Sequence, residues 1–372
     1  MSAVIRSTGL WTPDESVSND ELVACFNAYV ERFNAENADA IARGSVEAKN
    51  PSSSGFIEKA SGIKSRYTID KAGVLDVDRM RPRVKPRAND ELALTAEAGV
   101  AAARDALARA GRDPRDVDAV ICSGTSMQRT YPCMAIEMQD ALGIEGFGFD
   151  MTVACSSGTF GMINAINMID TGMAKSVLVI VPEITTPQLN FRDRDSHFIF
   201  GDVAVAVLIE HEDAAGGQGW RVVGRNMMTK FSNNIRSNFG FLNASEDPEP
   251  DFDDRYFVQE GRKVFKEVVP MVAEMIVTEA ERLGIDPQAL RRLWLHQANA
   301  GMNRLIAQRV LGHEASADES PTVLDTYANT SSAGSIIAFH KHHEDLSAGD
   351  TGLICSFGAG YSAGAVFVRK VG

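Results

Sequence analysis

The sequence predicts an α/β fold made of two similar halves. Apolar segments of strand length alternate with helical segments along most of the chain, and this alternation favours a mainly parallel sheet covered by helices on both faces. In addition, a motif around Cys155 returns around Asn329 later in the chain. We therefore expect an N-terminal half at residues 1–212 and a C-terminal half at residues 213–372, with a polar insertion near residues 34–55.

The internal repeat aligns Cys155 with Asn329. In both copies an alanine precedes this residue, small hydroxylic residues follow it, and a helical segment comes next. A Gly-x-Asp-Pro turn also recurs at residues 111–114 and 284–287, each time before an apolar strand. Two such halves stacked face to face would bring the equivalent helix N-termini together at the centre of the molecule.

The individual elements follow from hydrophobic periodicity and capping residues. A strand at residues 3–10 precedes a helix whose start is marked by Ser18 and two acidic residues. The other elements expected in the first half are helices at 90–111, 131–142 and 157–173, and strands at 117–123, 147–153, 176–181 and 203–210. The second half is expected to contain a strand at 220–228, a helix at 264–283, a strand ending at His296, a helix at 302–311, a segment at 323–343 and a hairpin through Leu353 and Ala365.

The composition is that of a globular protein. Of the 372 residues, 44% are hydrophobic and 23% are charged, which is ample material for a core. The formal net charge of −13 disfavours binding to nucleic acid or to an anionic membrane. Five scattered cysteines indicate a reducing compartment. Because the sequence shows neither a leader-like nor a membrane-spanning stretch, we expect a soluble, cytoplasmic protein.

Cys155 is the leading candidate nucleophile. It lies where an apolar strand meets a helical segment rich in small residues. The positive end of a helix macrodipole favours a thiolate, so this position predicts a lowered thiol pKa. The alternative is a buried structural thiol, which is the commoner role of a free cysteine. The pairing with Asn329 in the repeat favours the nucleophile.

His296 is the histidine best placed to assist that thiol. It ends an apolar strand beside Gln297 and Asn299, where polar groups project from the sheet edge into a crevice. The alternative is a histidine that is merely tied into a loop. The match of Asn329 with Cys155 makes this alternative weaker.

Other polar clusters point less clearly to a site. Three histidines and a glutamate lie within residues 340–344, but without a second group of ligands they indicate a solvated helix end more than a metal site. His197 falls in a charged loop. Basic residues between 59 and 87 suit a phosphate-binding patch and a solvated loop equally well. The glycine-rich segment 358–364 is followed by a strand, so it does not predict dinucleotide binding, although its backbone N–H groups could meet an oxyanion.

Four motifs occur in order along the chain: TVACSSG at 152–158, LHQAN at 295–299, YANTSS at 327–332 and FGAGY at 357–361. Together they resemble β-ketoacyl-acyl carrier protein synthase III, of the thiolase-like superfamily, across nearly the whole chain. The resemblance implies a thiolase-like five-layered αβαβα fold made of two duplicated halves. It also implies an obligate homodimer, with no metal and no cofactor.

The resemblance further implies a catalytic triad of Cys155, His296 and Asn329. Cys155 would take the acyl group of an acyl-CoA primer. His296 and Asn329 would stabilise the enolate that forms when malonyl-acyl carrier protein loses carbon dioxide. The backbone N–H groups of Cys155 and Ala359 would hold the oxyanion. The implied activity is the decarboxylating Claisen condensation that initiates fatty-acid synthesis.

Some residues depart from the family pattern. The expected substrate-binding residues are Phe56, Asn299 and Phe357. Phe56 stands where the family commonly has a tryptophan that stacks on the adenine of CoA. Ala359 replaces a glycine, and Gly301 replaces a basic residue used for carrier-protein docking, a role that Arg304 could take.

Two alternative functions remain open from the sequence. One is a related thiolase-superfamily acyl transferase or head-to-head acyl condensing enzyme. The other is a catalytically silent scaffold, against which the intact Cys155, His296 and Asn329 argue. The length of the primer is also left open.

Overall fold

The computed structural model describes residues 2–247 and 252–372. Its strands are β1 (Ala3–Trp11), β2 (Ser16–Ser18), β3 (Ser65–Tyr67), β4 (Ala119–Ser123), β5 (Phe147–Met151), β6 (Ser176–Glu183), β7 (Val203–His211), β8 (Gly219–Ser232), β9 (Ile235–Arg236), β10 (Val258–Gln259), β11 (Arg292–Leu295), β12 (Thr351–Gly358) and β13 (Gly360–Val371). Its α-helices are α1 (Asn19–Glu36), α2 (Ala38–Ala42), α3 (Ser54–Ser61), α4 (Lys71–Val74), α5 (Leu94–Ala110), α6 (Met134–Leu142), α7 (Ser157–Asp170), α8 (Glu212–Ala215), α9 (Gly261–Arg282), α10 (Ala300–Leu311), α11 (Leu324–Tyr327) and α12 (Gly334–Lys341). A short 3-10 helix at Ser331–Ala333 leads into α12.

Nine strands form one mixed sheet in the order β11-β12-β13-β8-β1-β7-β6-β4-β5. The expectation of a mainly parallel sheet is wrong. Strand β4 runs parallel to β5 and β6, and β11 runs parallel to β12, but the other five pairings are antiparallel. The reason lies in the connections, since β12 and β13 are joined by Ala359 alone and β6 reaches β7 without a long crossover helix.

Alternate residues of each strand face different helical layers. In β6, Val177, Val179 and Val181 pack into a central core with α7 and α12, whereas Leu178 and Ile180 pack into an outer core with α5 and α6. Helices α9 and α10 form a third core against the C-terminal strands. Val179 of β6 and Ile354 of β12, from opposite ends of the sheet, both face the central core that holds α7 and α12. The one continuous sheet therefore supplies two β layers with helices between and outside them, which confirms the five-layered αβαβα fold.

The two halves share an unusual backbone conformation at their centre. Ala154 has a φ of 46° and Ala328 has a φ of 57°, and each immediately precedes the residue aligned by the sequence repeat. A left-handed conformation costs a non-glycine residue about 1–3 kcal/mol. The same strained residue therefore recurs at equivalent positions, as expected for duplicated halves. The boundary at residues 212 and 213 stays a prediction.

The helix expected at residues 131–142 begins at Met134 instead. Pro132 disfavours helical backbone at the residue before it. The carboxylate of Asp150 accepts hydrogen bonds from the backbone N–H groups of Met134 and Ala135, both at 2.8 Å, and so caps the first turn of α6.

The insertion near residues 34–55 lies along α1. The side chain of Asn34 forms a reciprocal pair with the backbone of Lys49, with both hydrogen bonds at 2.9 Å. Asn27 forms a similar pair with Ser52, at 3.1 and 2.8 Å. Two amide side chains of α1 therefore fix the C-terminal part of the insertion, at Lys49 and Ser52. Across residues 2–247 and 252–372, none of the helices is long and apolar enough to cross a membrane.

Arg66 has a structural role that the sequence did not predict. Within the basic region it was expected in a binding patch or a solvated loop, but its side chain is buried. Its guanidinium donates hydrogen bonds to the backbone carbonyls of Val17 and Phe198 and to Oδ1 of Asn19. Burial lowers the pKa of Arg66 to about 9, so the side chain is still charged at neutral pH. Arg66 therefore ties β2 and the first residue of α1 to the segment before β7.

Replacing Arg66 with methionine should lower the free energy of unfolding by about 3 kcal/mol, because three buried acceptors lose their donor. Lys64→Met is the matched control, since Lys64 is exposed and lies in the same basic region. Its effect should stay within about 0.5 kcal/mol. Urea unfolding of both variants measures the difference, and equal stabilities would contradict the role assigned to Arg66.

Candidate active site

Residues of both halves line a cavity of about 960 Å³. Cys155, His296 and Asn329, which are far apart in the sequence, all line it. The structure therefore brings together the three residues that the sequence singled out. Further lining residues are Phe56, Phe198, Ile199, Phe257, Val264, Asn299, Phe357 and Gly358.

Cys155 lies at the turn between β5 and α7. The hydroxyl of Ser157 closes this turn, since it accepts from the backbone N–H of Val153 at 2.7 Å and donates to the carbonyl of Gly124 at 3.0 Å. On the other side, a Cβ atom at Gly358 would lie 2.5 Å from Cβ and 2.8 Å from Sγ of Cys155. The hairpin between β12 and β13 therefore packs directly on the thiol.

The Ser331 hydroxyl and the backbone N–H groups of Ala359 and of Cys155 itself lower the pKa of the Cys155 thiol, because they stabilise its thiolate. Burial is nevertheless the largest effect, and it raises the pKa of the Cys155 thiol, with the charge of Glu183 adding to the rise. The expectation of a lowered thiol pKa is therefore wrong. The sulfur is shielded from water, and α7 begins only at Ser157.

Asn329 is held in one orientation by its neighbours. Its Oδ1 accepts a hydrogen bond from the backbone N–H of Ser331 at 2.9 Å, which leaves the amide nitrogen as a donor. The backbone N–H of Asn329 donates to the carbonyl of Ile199 at 2.9 Å, and its carbonyl accepts from Gly201 at 3.2 Å. Asn329 therefore presents a fixed N–H donor at the cavity.

His296 follows β11, and its backbone N–H donates to the carbonyl of Cys355 at 2.8 Å. Its ring meets the ring of Phe357 edge to face, with centroids 5.2 Å apart. Burial lowers the pKa of His296 to about 4, so the imidazole is neutral at physiological pH. Its Nδ1 is buried and has no hydrogen-bond partner within the described residues. His296 can therefore act as a neutral hydrogen-bonding group.

Phe56 lies at the outer part of the cavity. The guanidinium carbon of Arg194 is 4.1 Å from the centroid of its ring, and Phe198 meets the same ring edge to face. Arg194 is itself held by a hydrogen bond from Nε to the carbonyl of Pro51 at 2.8 Å. An aromatic ring and a planar cation are thus stacked together at this position.

Asn299 lines the cavity, but its polar atoms are already occupied. Its Oδ1 accepts from the backbone N–H groups of Gly301 and Met302 and so caps α10. Its Nδ2 donates to the carbonyl of Ala60 at 2.7 Å, at the end of α3. Asn299 therefore positions α3 against α10, next to the cavity.

The structure corrects two interpretations of histidines. His197, expected in a charged loop, is fully buried and stacks on Phe26 with centroids 4.5 Å apart. His340, expected at a solvated helix end, is buried with Nδ1 2.8 Å from the hydroxyl of Thr8. Both sequence contexts are polar, but tertiary packing encloses the rings. In the part of the chain that the structure describes, no group of His, Cys, Asp and Glu side chains could hold a metal ion.

Sequence reasoning missed three polar residues next to the site, namely Thr125, Glu183 and Ser331. Ser331 is part of the YANTSS motif at residues 327–332, in which only Asn329 was predicted to have a role. Glu183 ends the otherwise apolar β6, and a lone acid at the end of a buried strand was the available signal. Their contacts to one another and to Cys155 could not be read from the sequence.

Comparison with known proteins gives two family matches. Residues 149–230 match the family described as 3-oxoacyl-(acyl-carrier-protein) synthase III, and residues 280–370 match the C-terminal region of the same family. The first stretch contains Cys155, and the second contains His296, Asn329 and Ala359.

Individual relatives agree with these matches. A β-ketodecanoyl-(acyl-carrier-protein) synthase of Pseudomonas aeruginosa is 54% identical over 346 residues, which cover 93% of this chain and 99% of the relative. A β-ketoacyl-(acyl-carrier-protein) synthase III of Bartonella tribocorum is 28% identical over 373 residues, with 99% of each chain covered.

Solved structures show the same fold at lower identity. The 3-oxoacyl-(acyl-carrier-protein) synthase III of Aquifex aeolicus has a TM-score of 0.77 and 22% identity, with 99% of each chain covered. A variant of Xanthomonas campestris OleA with bound lauric acid and lauroyl-CoA has a TM-score of 0.76 and 16% identity, also with 99% of each chain covered.

Gly358→Ala should slow the alkylation of Cys155 at least about tenfold, because the added methyl group would overlap the thiol or displace it. Gly240→Ala is the control, since a Cβ atom there meets nothing within 4 Å. Peptide-resolved mass spectrometry after iodoacetamide treatment measures the rate. Equal rates in both variants would contradict the packing of the β12–β13 turn on the thiol.

The pKa of His296, lowered to about 4 by burial, makes stability depend on pH. Between about pH 6.5 and pH 4 the unfolded chain binds more protons than the native state, so the free energy of unfolding falls as the pH falls. His296→Gln should reduce this loss, whereas His313→Gln, at an exposed side chain, should not. Urea unfolding at pH 7 and pH 5 tests this, and identical losses in both variants would contradict it.

Proposed function

The chain belongs to the 3-oxoacyl-(acyl-carrier-protein) synthase III family of condensing enzymes, and on this premise we propose that it extends an acyl-CoA primer with malonyl-acyl carrier protein by decarboxylating Claisen condensation. The observation that carries the proposal is the convergence of Cys155, His296 and Asn329 on one cavity. In fatty-acid synthesis this reaction would be the initiating condensation.

In the first step, Sγ of Cys155 attacks the thioester carbonyl of the primer. The carbonyl oxygen becomes an oxyanion, and the C–S bond to CoA then breaks. The backbone N–H groups of Cys155 and Ala359 are the proposed oxyanion donors, which is supported by the effect of both groups on the thiol, whose pKa they lower. The acyl group is left as a thioester on Cys155.

In the second step, malonyl-acyl carrier protein enters the same cavity. Loss of carbon dioxide leaves an enolate, whose oxygen would accept hydrogen bonds from His296 and from the amide of Asn329. A neutral imidazole and a fixed amide stabilise a developing anion by hydrogen bonding, so the step needs neither a metal nor a cofactor. The enolate carbon then attacks the acyl carbon, and Cys155 is released.

We propose a primer of medium chain length, with eight carbons. The Pseudomonas relative at 54% identity is named for a β-ketodecanoyl product, and ten product carbons less two malonyl carbons leave eight. The apolar walls at Ile199, Phe257 and Val264 support the burial of an alkyl chain.

The cavity entrance supports binding of CoA and of the carrier arm. The stacked pair of Phe56 and Arg194 offers a surface for the adenine, and Lys59 and Arg262 add positive charge along the same cavity. Phe357, which packs against His296, would form one wall of the space that holds the acyl chain. Asn299 is proposed to act indirectly, through its cap on α10. Arg304, largely exposed, is the proposed docking residue for the acidic carrier protein.

Assembly and compartment are part of the proposal. Strand β5 ends the nine-stranded sheet and pairs only with β4 among the described strands, so its outer edge can meet a second copy in a homodimer. The five cysteines are all free, which suits the reducing cytoplasm.

Incubation with octanoyl-CoA should give a covalent acyl adduct that mass spectrometry assigns to Cys155. Cys155→Ala should lose the adduct, whereas His296→Ala should keep it and lose at least about a hundredfold in condensation, because only the enolate step loses a donor. Octanoyl-CoA should outcompete acetyl-CoA and palmitoyl-CoA as a primer.

The outcomes also separate the alternative functions. A covalent adduct followed by a product free of carrier protein would indicate a head-to-head condensing enzyme or a simple acyl transferase. The absence of an adduct with every chain length would indicate a catalytically silent scaffold, and would contradict the proposal.

A further inference from the structure

Ser331 contacts the candidate catalytic residues on one side and a buried acid network on the other. Its hydroxyl interacts with the Cys155 thiol and lowers the pKa of that thiol, and its backbone N–H donates to Oδ1 of Asn329 at 2.9 Å. The same hydroxyl forms a short hydrogen bond with the hydroxyl of Thr125. Ser331 has a φ of 48°, a left-handed conformation that strains a non-glycine residue. Such strain is typical of functional positions.

Glu183 lies at the far end of this network. The side chain is 1% exposed, and Oε1 accepts from the backbone N–H of Thr125 at 3.1 Å and from its hydroxyl at 2.9 Å. The backbone N–H and the hydroxyl of Ser332 donate to the same oxygen. Hydrogen bonds therefore join Ser331 through Thr125 to Glu183, and the Ser331 hydroxyl interacts with the Cys155 thiol at the other end of this path.

The path can hold its protons in two consistent arrangements. With a thiol at Cys155 and a carboxylate at Glu183, the S–H and both hydroxyls donate toward the carboxylate. With a blocked or ionised sulfur and a protonated Glu183, every donor points toward the sulfur. If both ends were ionised, Ser331 would donate to sulfur and Thr125 to the carboxylate, and no proton would remain between the two hydroxyls. The path therefore favours one shared proton.

We propose that Glu183 holds the proton of Cys155 while the sulfur carries the acyl group, and that Thr125 and Ser331 conduct this proton in both directions. This inference rests on the proposed acyl-Cys155 chemistry. In acylation, sulfur forms a bond to the acyl carbon, its proton moves by three transfers to the carboxylate of Glu183, and CoA leaves with the electron pair of the broken C–S bond. In condensation, the acyl C–S bond breaks toward sulfur, and the resulting thiolate takes the proton back. Glu183 ends as a carboxylate, and Cys155 ends as a thiol.

The electrostatic environment suits such an exchange. Burial raises the pKa of Glu183 to about 7, so its carboxylate can gain and lose a proton at neutral pH. The titratable groups that sense its charge are Cys155 and Cys122. Asp202 lies before the neighbouring strand β7, but its carboxylate is occupied by the backbone N–H groups of residues 185 and 186. Within the described residues, Cys155 is the group joined to Glu183 by hydroxyls.

Two pairs of measurements test the path. Glu183→Gln keeps an acceptor oxygen but removes the titration and the charge. It should move the pH midpoint of Cys155 alkylation by iodoacetamide down by about one unit, because a nearby negative charge no longer opposes the thiolate. An unchanged midpoint would show that Glu183 is not coupled to Cys155 and would overturn the proposal. Because loss of the charge alone also lowers the midpoint, proton transfer itself is tested by the second pair.

Thr125→Val and Thr125→Ser form the second pair, and they keep Glu183 in place. Valine removes the conducting hydroxyl, so single-turnover condensation on the octanoyl enzyme should slow at least about tenfold. Serine restores a hydroxyl, so its rate should stay within about twofold of the original chain. Equal rates in the two variants would overturn the proton path even if Glu183→Gln fails to fold.

Adduct formation by the unaltered chain is scored separately. If the adduct forms and the Thr125→Val and Thr125→Ser variants have equal condensation rates, the proton path is contradicted and the proposed function is not. A missing adduct would remove the proposed function, whereas the alkylation midpoints would still report on the coupling of Cys155 to Glu183.

Discussion

The close approach of the first turn of α7 to the 3-10 helix that precedes α12 is the contact on which the rest of the structure depends. A Cβ atom at Gly158 would lie 2.7 Å from the backbone carbonyl of Ser332, so only glycine allows the two chain segments to pack this tightly. This packing brings the turn that carries Cys155 next to the segment that carries Asn329. Gly358 then lets a third segment close over the sulfur. The cavity is thus built where the two duplicated halves meet, and each half supplies part of it.

The same packing decides the chemistry, because it removes water from the site. Burial raises the pKa values of Cys155 and Glu183 and lowers that of His296, so each group is disfavoured in its charged form. A site of this kind stabilises a transient anion with neutral donors already in place, and it avoids a permanent charge. Reactivity then depends on where protons can move. The hydroxyls of Ser331 and Thr125 would therefore transfer protons in addition to packing in the site.

The sequence predicted the parts of the fold and site that depend on local pattern. The alternation of apolar strands with helices predicted an α/β fold, the repeat around Cys155 and Asn329 predicted the duplication, and the five layers were implied by the resemblance to the synthase III family. The structure confirms this fold. The expectation of a mainly parallel sheet was wrong, since strand direction depends on connections such as the one from β6 to β7, whereas the antiparallel hairpin of β12 and β13 was predicted correctly. The thiol pKa of Cys155 and the burial of Arg66 were also missed, because both depend on segments distant in the chain. The contact of Glu183 with Ser332 was missed for the same reason, because hydrophobic periodicity does not reveal contacts between residues of different halves.

The most direct test of the account is the stoichiometry of the two half-reactions. The chain is mixed with octanoyl-CoA in the absence of malonyl-acyl carrier protein, and the release of free CoA is followed in a rapid-mixing experiment. The account predicts a burst of one CoA per active chain, followed by conversion of the isolated acyl enzyme to 3-oxodecanoyl-acyl carrier protein when malonyl-acyl carrier protein is added. Steady release without a burst, or an acyl enzyme that malonyl-acyl carrier protein does not discharge, would contradict Cys155 as the acyl carrier of a condensing enzyme.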